Sequence, residues 1–180
     1  NANACAPQGE ENAERMCAAA AKAIGCAPEE VLVASTGVIG QALNISAIEA
    51  GIPGIAAGLS PENSGLAAEA IMTTDRNKKE IALSLELGGK EVKIGAIAKG
   101  SSMIHPNMGT MLCFVTTDCA ITHQMLEEAL RDVTARTFNR VVVDGDSSSN
   151  DMCVALANAM AGNPLIEWKD EDYETFVGAL

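Results

Sequence analysis

Ile81-Ala82-Leu83-Ser84-Leu85-Glu86-Leu87-Gly88-Gly89-Lys90-Glu91-Val92-Lys93-Ile94-Gly95-Ala96 decides the class of fold. Ile81, Leu83, Leu85 and Leu87 alternate with Ala82, Ser84 and Glu86. Beyond Gly88-Gly89, Val92, Ile94 and Ala96 alternate with Lys93 and Gly95. A period of two on both sides of a glycine pair predicts a β-hairpin. Downstream, Lys99 to Gly109 is aperiodic and broken by Gly and Pro, so it reads as a loop feeding a strand over Thr110 to Thr117. Met125, Leu126, Ala129, Leu130 and Val133 stripe a helix over Ile121 to Arg136. Arg140 to Val143 is expected as a strand and Asn150 to Met160 as a helix. Tyr173, Phe176, Val177 and Leu180 mark a last helix.

Upstream, residues 11–23 are rich in helix formers and end near Gly25, a natural left-handed terminator. Val31 to Ala34, bounded by Pro28 and Gly37, reads as a buried strand emptying into the turn Ser35-Thr36-Gly37-Val38-Ile39-Gly40. Ser60-Pro61 is a cap and first helical position for a helix through Leu66 and Ala70 towards Met72. Strands and helices mix without strict alternation. That order predicts an α/β fold of the α+β layered sandwich type, with helices packed on mixed β-sheets.

The chain has 180 residues, 48% apolar and 20% charged, the composition of a globular protein in one compact unit or two small ones. Aromatics are only 3%, so small and medium side chains must build closely approaching layers. The net charge of −12 repels phosphate backbones and anionic lipid, which argues against nucleic-acid and membrane partners. No apolar run reaches the roughly 18 residues of a bilayer-spanning helix, and no basic, then apolar, leader opens the chain. The start at Asn1 and the stop inside an amphipathic pattern read as a piece of a longer protein. Cys5, Cys17, Cys26, Cys113, Cys119 and Cys153 form no CxxC pair and only two His are present, so no metal is expected. Cysteines inside apolar runs such as Leu112-Cys113-Phe114-Val115 read as buried free thiols in a reducing cytosol. Asp144-Gly145-Asp146-Ser147-Ser148-Ser149-Asn150 lacks the Gly and Glu of a calcium loop and reads as a solvated turn. Gly37-x-x-Gly40 is not a dinucleotide fingerprint, so no cofactor is expected.

The chemically informative stretch is KGSSMIHPNMGTML, Lys99 to Leu112. Gly-Thr before a strand is ordinary turn and strand composition. The chemical alternative is a latent N-terminal nucleophile. The Thr110 hydroxyl would attack the Gly109 carbonyl, the peptide would shift to an ester, and water would free a new amino terminus. Gly109, lacking a Cβ, eases the strained geometry this needs. The freed α-amine, with an unperturbed pKa of about 7.7–8.0, would sit beside its own hydroxyl as a base.

Five blocks in order resemble the ornithine acetyltransferase family, the bifunctional glutamate N-acetyltransferases of arginine biosynthesis. They are Asn1 to Cys5, Val33 to Gly40, Ile71 to Asp75, Lys99 to Thr117, and Phe138-Asn139-Arg140 with Val143 through Asp151. The resemblance implies a self-cleaving N-terminal-Thr acyltransferase cut between Gly109 and Thr110. Residues 1–180 would be a single catalytic region, partial relative to the family, with 1–109 in an α chain and 110–180 in a β chain. Thr110 would take acetyl from N-acetylornithine and pass it to glutamate, with acetyl-CoA as a further donor left open. Thr36 and Gly37 would form the oxyanion hole; a tight turn with a local hydrogen bond is the plainer reading of that pair. Thr73 and Lys99 would join Thr110 in binding substrate, although a loop Lys is ordinarily solvated and Thr73 could equally cap a helix end. Implied partners are small-molecule substrates, paired α and β chains, and a homo-oligomer. Ser102 stands where the family more often has Gly, and Gly109 where it often has Ala. Members are about twice as long, so the pocket is expected to be incomplete here. Two alternatives stay open: an N-terminal-nucleophile amidase or aminopeptidase that passes the acyl group to water, and a non-catalytic fragment.

Overall fold

The computed structural model describes residues 7–105, 108, 109 and 111–180, with the backbone alone at 105, 108 and 109. The chain divides into two compact units, Asn1–Ala67 and Ala68–Leu180.

In the first unit, α1 (Gly9–Ile24) carries Glu10 and Glu11 in its first turn and Lys22 in its last, matching the helix dipole at both ends. It stops at Gly25, φ +82°, whose N–H donates to Ala21 O at 2.8 Å. A second helix, α2 (Ile45–Ala57), is capped by Asn44, whose Oδ1 accepts the Ala47 N–H at 3.2 Å. Arg15 on α1 grips Glu49 on α2 with two parallel bonds, 2.8 and 2.6 Å. Sequence reading missed α2 because Gly51, Pro53 and Gly54 argue against a helix. The expected strand Val31–Ala34 is not one. It follows a 3-10 turn at Pro28–Glu30 without regular secondary structure, and among the described residues of this unit no strand offers it a ladder partner. Ser60 caps a 3-10 turn at Pro61–Asn63 that leads into α3 (Ser64–Ala70), close to the expected helix.

The second unit is built on the expected hairpin. Strands β1 (Lys79–Leu87) and β2 (Lys90–Lys99) pair antiparallel from Leu87↔Lys90 to Lys79↔Ala98. Gly88 and Gly89 turn between them at φ +53° and +76°, the left-handed pair that a two-residue hairpin turn requires. A two-residue ribbon follows, β3 (Ile104–His105) against β4 (Met108–Gly109), where a plain loop was expected. Strand β5 (Leu112–Thr117) lies antiparallel to β2, and β6 (Met152–Ala157) lies parallel to β5, giving the order β1-β2-β5-β6. Helices α4 (His123–Arg136) and α5 (Glu171–Ala179) start at Thr122 and Asp170, whose side chains accept the Met125 and Tyr173 N–H groups. Leu87, Val92, Ile94, Val115, Met125, Ala129, Ile166 and Phe176 interlock between sheet and helices. The α/β class and the mixed sheet with packed helices hold.

Two further expectations in this unit fail. Within the expected helix Asn150–Met160 the chain instead forms strand β6, Met152–Ala157: Met, Ala and Leu favour helices, but a short apolar run pairs just as well beside an open sheet edge, and β5 supplied that edge. Arg140–Val143 is no strand; a 3-10 turn at Phe138–Arg140 precedes it, and Val141, Val142 and Val143 are exposed. Among the described residues, no helix is long and apolar enough to cross a membrane.

Candidate functional site

The site is built where β2 ends and β5 begins, because Lys99 and Leu112 are register partners at the same end of the sheet. Lys99 is only 2% exposed. Burial pushes its ammonium below the ordinary lysine value, while the charges of Asp75 and Asp151 push it back up. It lines a cavity of about 360 Å³ with Lys79, Ile104, Met111, Phe138, Asp151 and Cys153. That volume suits an amino-acid-sized ligand.

Carboxylates hold the walls. The Asp75 side chain is 1% exposed and accepts the Gly100 N–H at 2.8 Å, the Thr73 N–H at 3.4 Å and Lys79 Nζ at 2.5 Å. Burial alone would raise its carboxyl; the Lys79 ammonium and the two amides outweigh that and hold it low. Thr74 Oγ1 lies 2.8 Å from Ser101 Oγ and 3.3 Å from Ser102 Oγ, stitching the same two loops together. Asp144 accepts the Met103 N–H at 2.6 Å and the Ile104 N–H at 3.0 Å, and these bonds hold its carboxyl low. Asp151 accepts the Met111 N–H at 2.8 Å; its burial raises its carboxyl, against that bond and the Lys99 charge.

Cys113 and Cys153 are register partners on β5 and β6, and Cys153 lines the cavity. The neighbouring Cys153 thiol, together with burial, pushes Cys113 up, and Cys113 in turn holds Cys153 down. The five cysteines among the described residues are free.

Of the sequence-predicted residues, Lys99 stands in the cavity wall, buried and not solvated. Thr73 is exposed beyond the end of α3 and bonds to Asp75 through its N–H. Gly109 closes β4 opposite Ile104. Thr110 lies outside the described residues. Thr36 and Gly37 belong to the first unit, on the irregular segment before a turn that Gln41 N–H closes onto Val38 O at 3.2 Å; Thr36 is half-buried and Gly37 exposed. Sequence reading passed over Asp75, Asp144 and Asp151 as working residues. Their only sequence signal was a carboxylate beside Gly, Ser or Thr loops, and Asp144 was read as part of a solvated turn.

The profile of the ArgJ family matches residues 1–180. The arginine biosynthesis bifunctional protein ArgJ of Symbiobacterium thermophilum is 55% identical over all of this chain and 45% of its own length. That of Bacillus subtilis is 47% identical over 99% of this chain and 44% of its own length. The chain thus spans less than half the length of these curated relatives. The crystal structure of the arginine biosynthesis bifunctional protein ArgJ from Bacillus halodurans superposes with a TM-score of 0.51 at 37% identity, covering 59% of this chain and 54% of that one.

Proposed function

The chain belongs to the ArgJ family, and from that premise we propose that it carries the nucleophilic centre of an acetyltransferase of arginine biosynthesis, with Thr110 as the acetyl carrier. In this reading Thr110 Oγ first attacks the Gly109 carbonyl carbon. The peptide C–N bond breaks, its nitrogen takes the hydroxyl proton, and water opens the resulting ester. Gly109 is left with a carboxylate and Thr110 with a free hydroxyl and α-amine. That amine, with a pKa of about 7.7–8.0, then serves as base for its own hydroxyl.

In transfer, Thr110 Oγ attacks the acetyl carbonyl of N-acetylornithine, and its proton passes through the α-amine to the departing ornithine nitrogen. The glutamate amine attacks the acetyl ester in turn, and Thr110 Oγ recovers a proton. The Thr36 hydroxyl and Gly37 N–H are assigned to the oxygen that becomes negative in each attack. One such donor is worth about 2.7–4 kcal/mol.

The observation that carries this reading is the buried Lys99 in the wall of the cavity, in register with Leu112 at the start of β5. Donor and acceptor both carry an α-carboxylate, and a desolvated ammonium is its natural partner. Thr73 is assigned to the same substrate. The proposed cut also leaves a joined product. It separates β1 to β4 from β5 onward, yet β5 stays laddered to β2 from Lys99↔Leu112 to Ile94↔Thr117, which supports paired α and β chains.

The test is incubation of the full-length protein with N-acetylornithine and glutamate, in wild type and Thr110→Ala. N-acetylglutamate from wild type alone, with acetyl mapped to Thr110, is the expected result. Free acetate without N-acetylglutamate would point to an amidase, and turnover by Thr110→Ala would remove Thr110 from the chemistry.

A further inference from the structure

The segment from Val143 to Met152 contributes none of the reacting groups assigned above, yet it bonds to the backbone on both sides of Gly109–Thr110. On the acyl side, Asp144 takes the Met103 N–H at 2.6 Å on one oxygen and the Ile104 N–H at 3.0 Å on the other. Val143 N–H adds a bond to Ile104 O at 2.9 Å, and Ile104 is the register partner of Gly109 itself. Met103 stands at φ +56°, a left-handed conformation that a side-chain-bearing residue resists. The grip of Asp144 therefore holds a shape the chain would not keep alone. On the amine side, Asp151 Oδ1 takes the Met111 N–H at 2.8 Å, and Met152 N–H donates to Met111 O at 3.0 Å. Both polar groups of the residue after Thr110 are thus fixed.

Self-cleavage needs a hydroxyl held over the carbonyl before it, and holding the two groups in that orientation lowers the barrier to such a reaction. A carboxylate accepts only, and takes backbone N–H groups in charge-assisted bonds, so it fixes a strand without competing as a donor. We propose that Asp144 and Asp151 are paired positioning residues that hold the acyl and amine sides of the Gly109–Thr110 bond for self-cleavage. Asp151 then keeps the new amino terminus in register for acetyl transfer. This rests on the reading of Thr110 as a self-released nucleophile, and it separates two roles. Asp144 serves the cut, after which its side of the bond is a spent carboxylate. Asp151 serves the cut and every later turnover.

The experiment follows the cleavage half-time of freshly translated full-length protein by mass spectrometry. The set is wild type, Thr110→Ala, Asp144→Asn, Asp144→Ala, Asp151→Asn, Asp151→Ala, which also removes the acceptor of the Met111 N–H, and the neighbouring exposed control Asp146→Asn. Melting temperatures verify the fold, and the isosteric Asn variants preserve the packing if Asp144→Ala does not fold. Half-times at least tenfold longer at positions 144 and 151, with Asp146→Asn like wild type, are expected. Per cleaved chain, Asp151→Asn should lower kcat by a factor close to its effect on cleavage, and Asp144→Asn by a smaller factor than its own. Folded Asp144 and Asp151 variants that cleave within twofold of wild type would overturn the proposal while leaving Thr110 in place. A wild type that never cleaves would overturn both readings.

Discussion

A lysine buried to 2% exposure at the end of a strand keeps its charge only where carboxylates face it, and Lys99 has Asp75 and Asp151 for that. Lys99→Met removes the proposed partner of the substrate carboxylate. Steady-state kinetics should show KM rising about 10- to 100-fold for N-acetylornithine and glutamate alike, the worth of one charge-assisted bond at about 1.5–3 kcal/mol. Because burial lowers this ammonium from its ordinary 10.5, KM should begin to rise on the alkaline side before free lysine titrates. Asp75 titrates with the opposite effect. Its folded value lies below the ordinary 3.8, so its stabilisation is in place above that pH and is lost as pH falls through the folded value. Asp75→Asn should cost about 1–3 kcal/mol near neutrality, because the Gly100 and Thr73 amides lose charge assistance and the buried Lys99 loses a facing carboxylate, while the half-exposed Lys79 contributes little. It should also flatten the acid limb of a denaturant midpoint measured from pH 7 to pH 3.

At the scale of the element, the β1–β2 turn makes the most decisive local claim. A Cβ on Gly88 would lie 2.4 Å from Pro164 Cδ and 2.6 Å from its Cγ, whereas one on Gly89 meets nothing within 4 Å. Both residues hold positive φ. Gly89→Ala should therefore cost about 1–2 kcal/mol of backbone strain alone. Gly88→Ala adds an overpacking cost of about 1–3 kcal/mol, visible as the larger fall in melting temperature. This hairpin was legible because its period of two and its glycine pair are local facts. So were α1, α4 and α5, which carry their caps and apolar stripes within themselves. Val31–Ala34 and Met152–Ala157 were not legible, because an apolar run of four to six residues becomes strand, helix or coil according to what lies beside it. Helix α2 hid behind Gly51, Pro53 and Gly54. Of the proposed site, Gly109–Thr110 and Lys99 were marked by the family resemblance of their block, since Gly-Thr before a strand and a loop lysine are ordinary when taken alone. Asp75, Asp144 and Asp151 act through backbone amides 25 to 41 positions away, and no local pattern announces such a bond.

At the largest scale, a charge of −12 over these 180 residues opposes the arrival of an anionic substrate. Glutamate carries a net negative charge near neutrality, whereas N-acetylornithine is a zwitterion. Raising ionic strength from 0.01 M to 0.15 M shortens the screening length from about 30 Å to about 8 Å. On the proposed reaction, kcat/KM for glutamate should rise with salt while that for N-acetylornithine stays nearly flat, as initial rates at varied salt would show. The same scale holds the claim on which all of this depends, that a peptide bond inside Ala68–Leu180 is cut and the sheet survives it through the β2–β5 ladder. Intact mass of the purified full-length protein under denaturing conditions measures that cut directly. Two species are expected, one ending at Gly109 and one beginning with an unblocked Thr110, both replaced by the uncut chain in Thr110→Ala. A wild-type chain that stays whole after long incubation would contradict it.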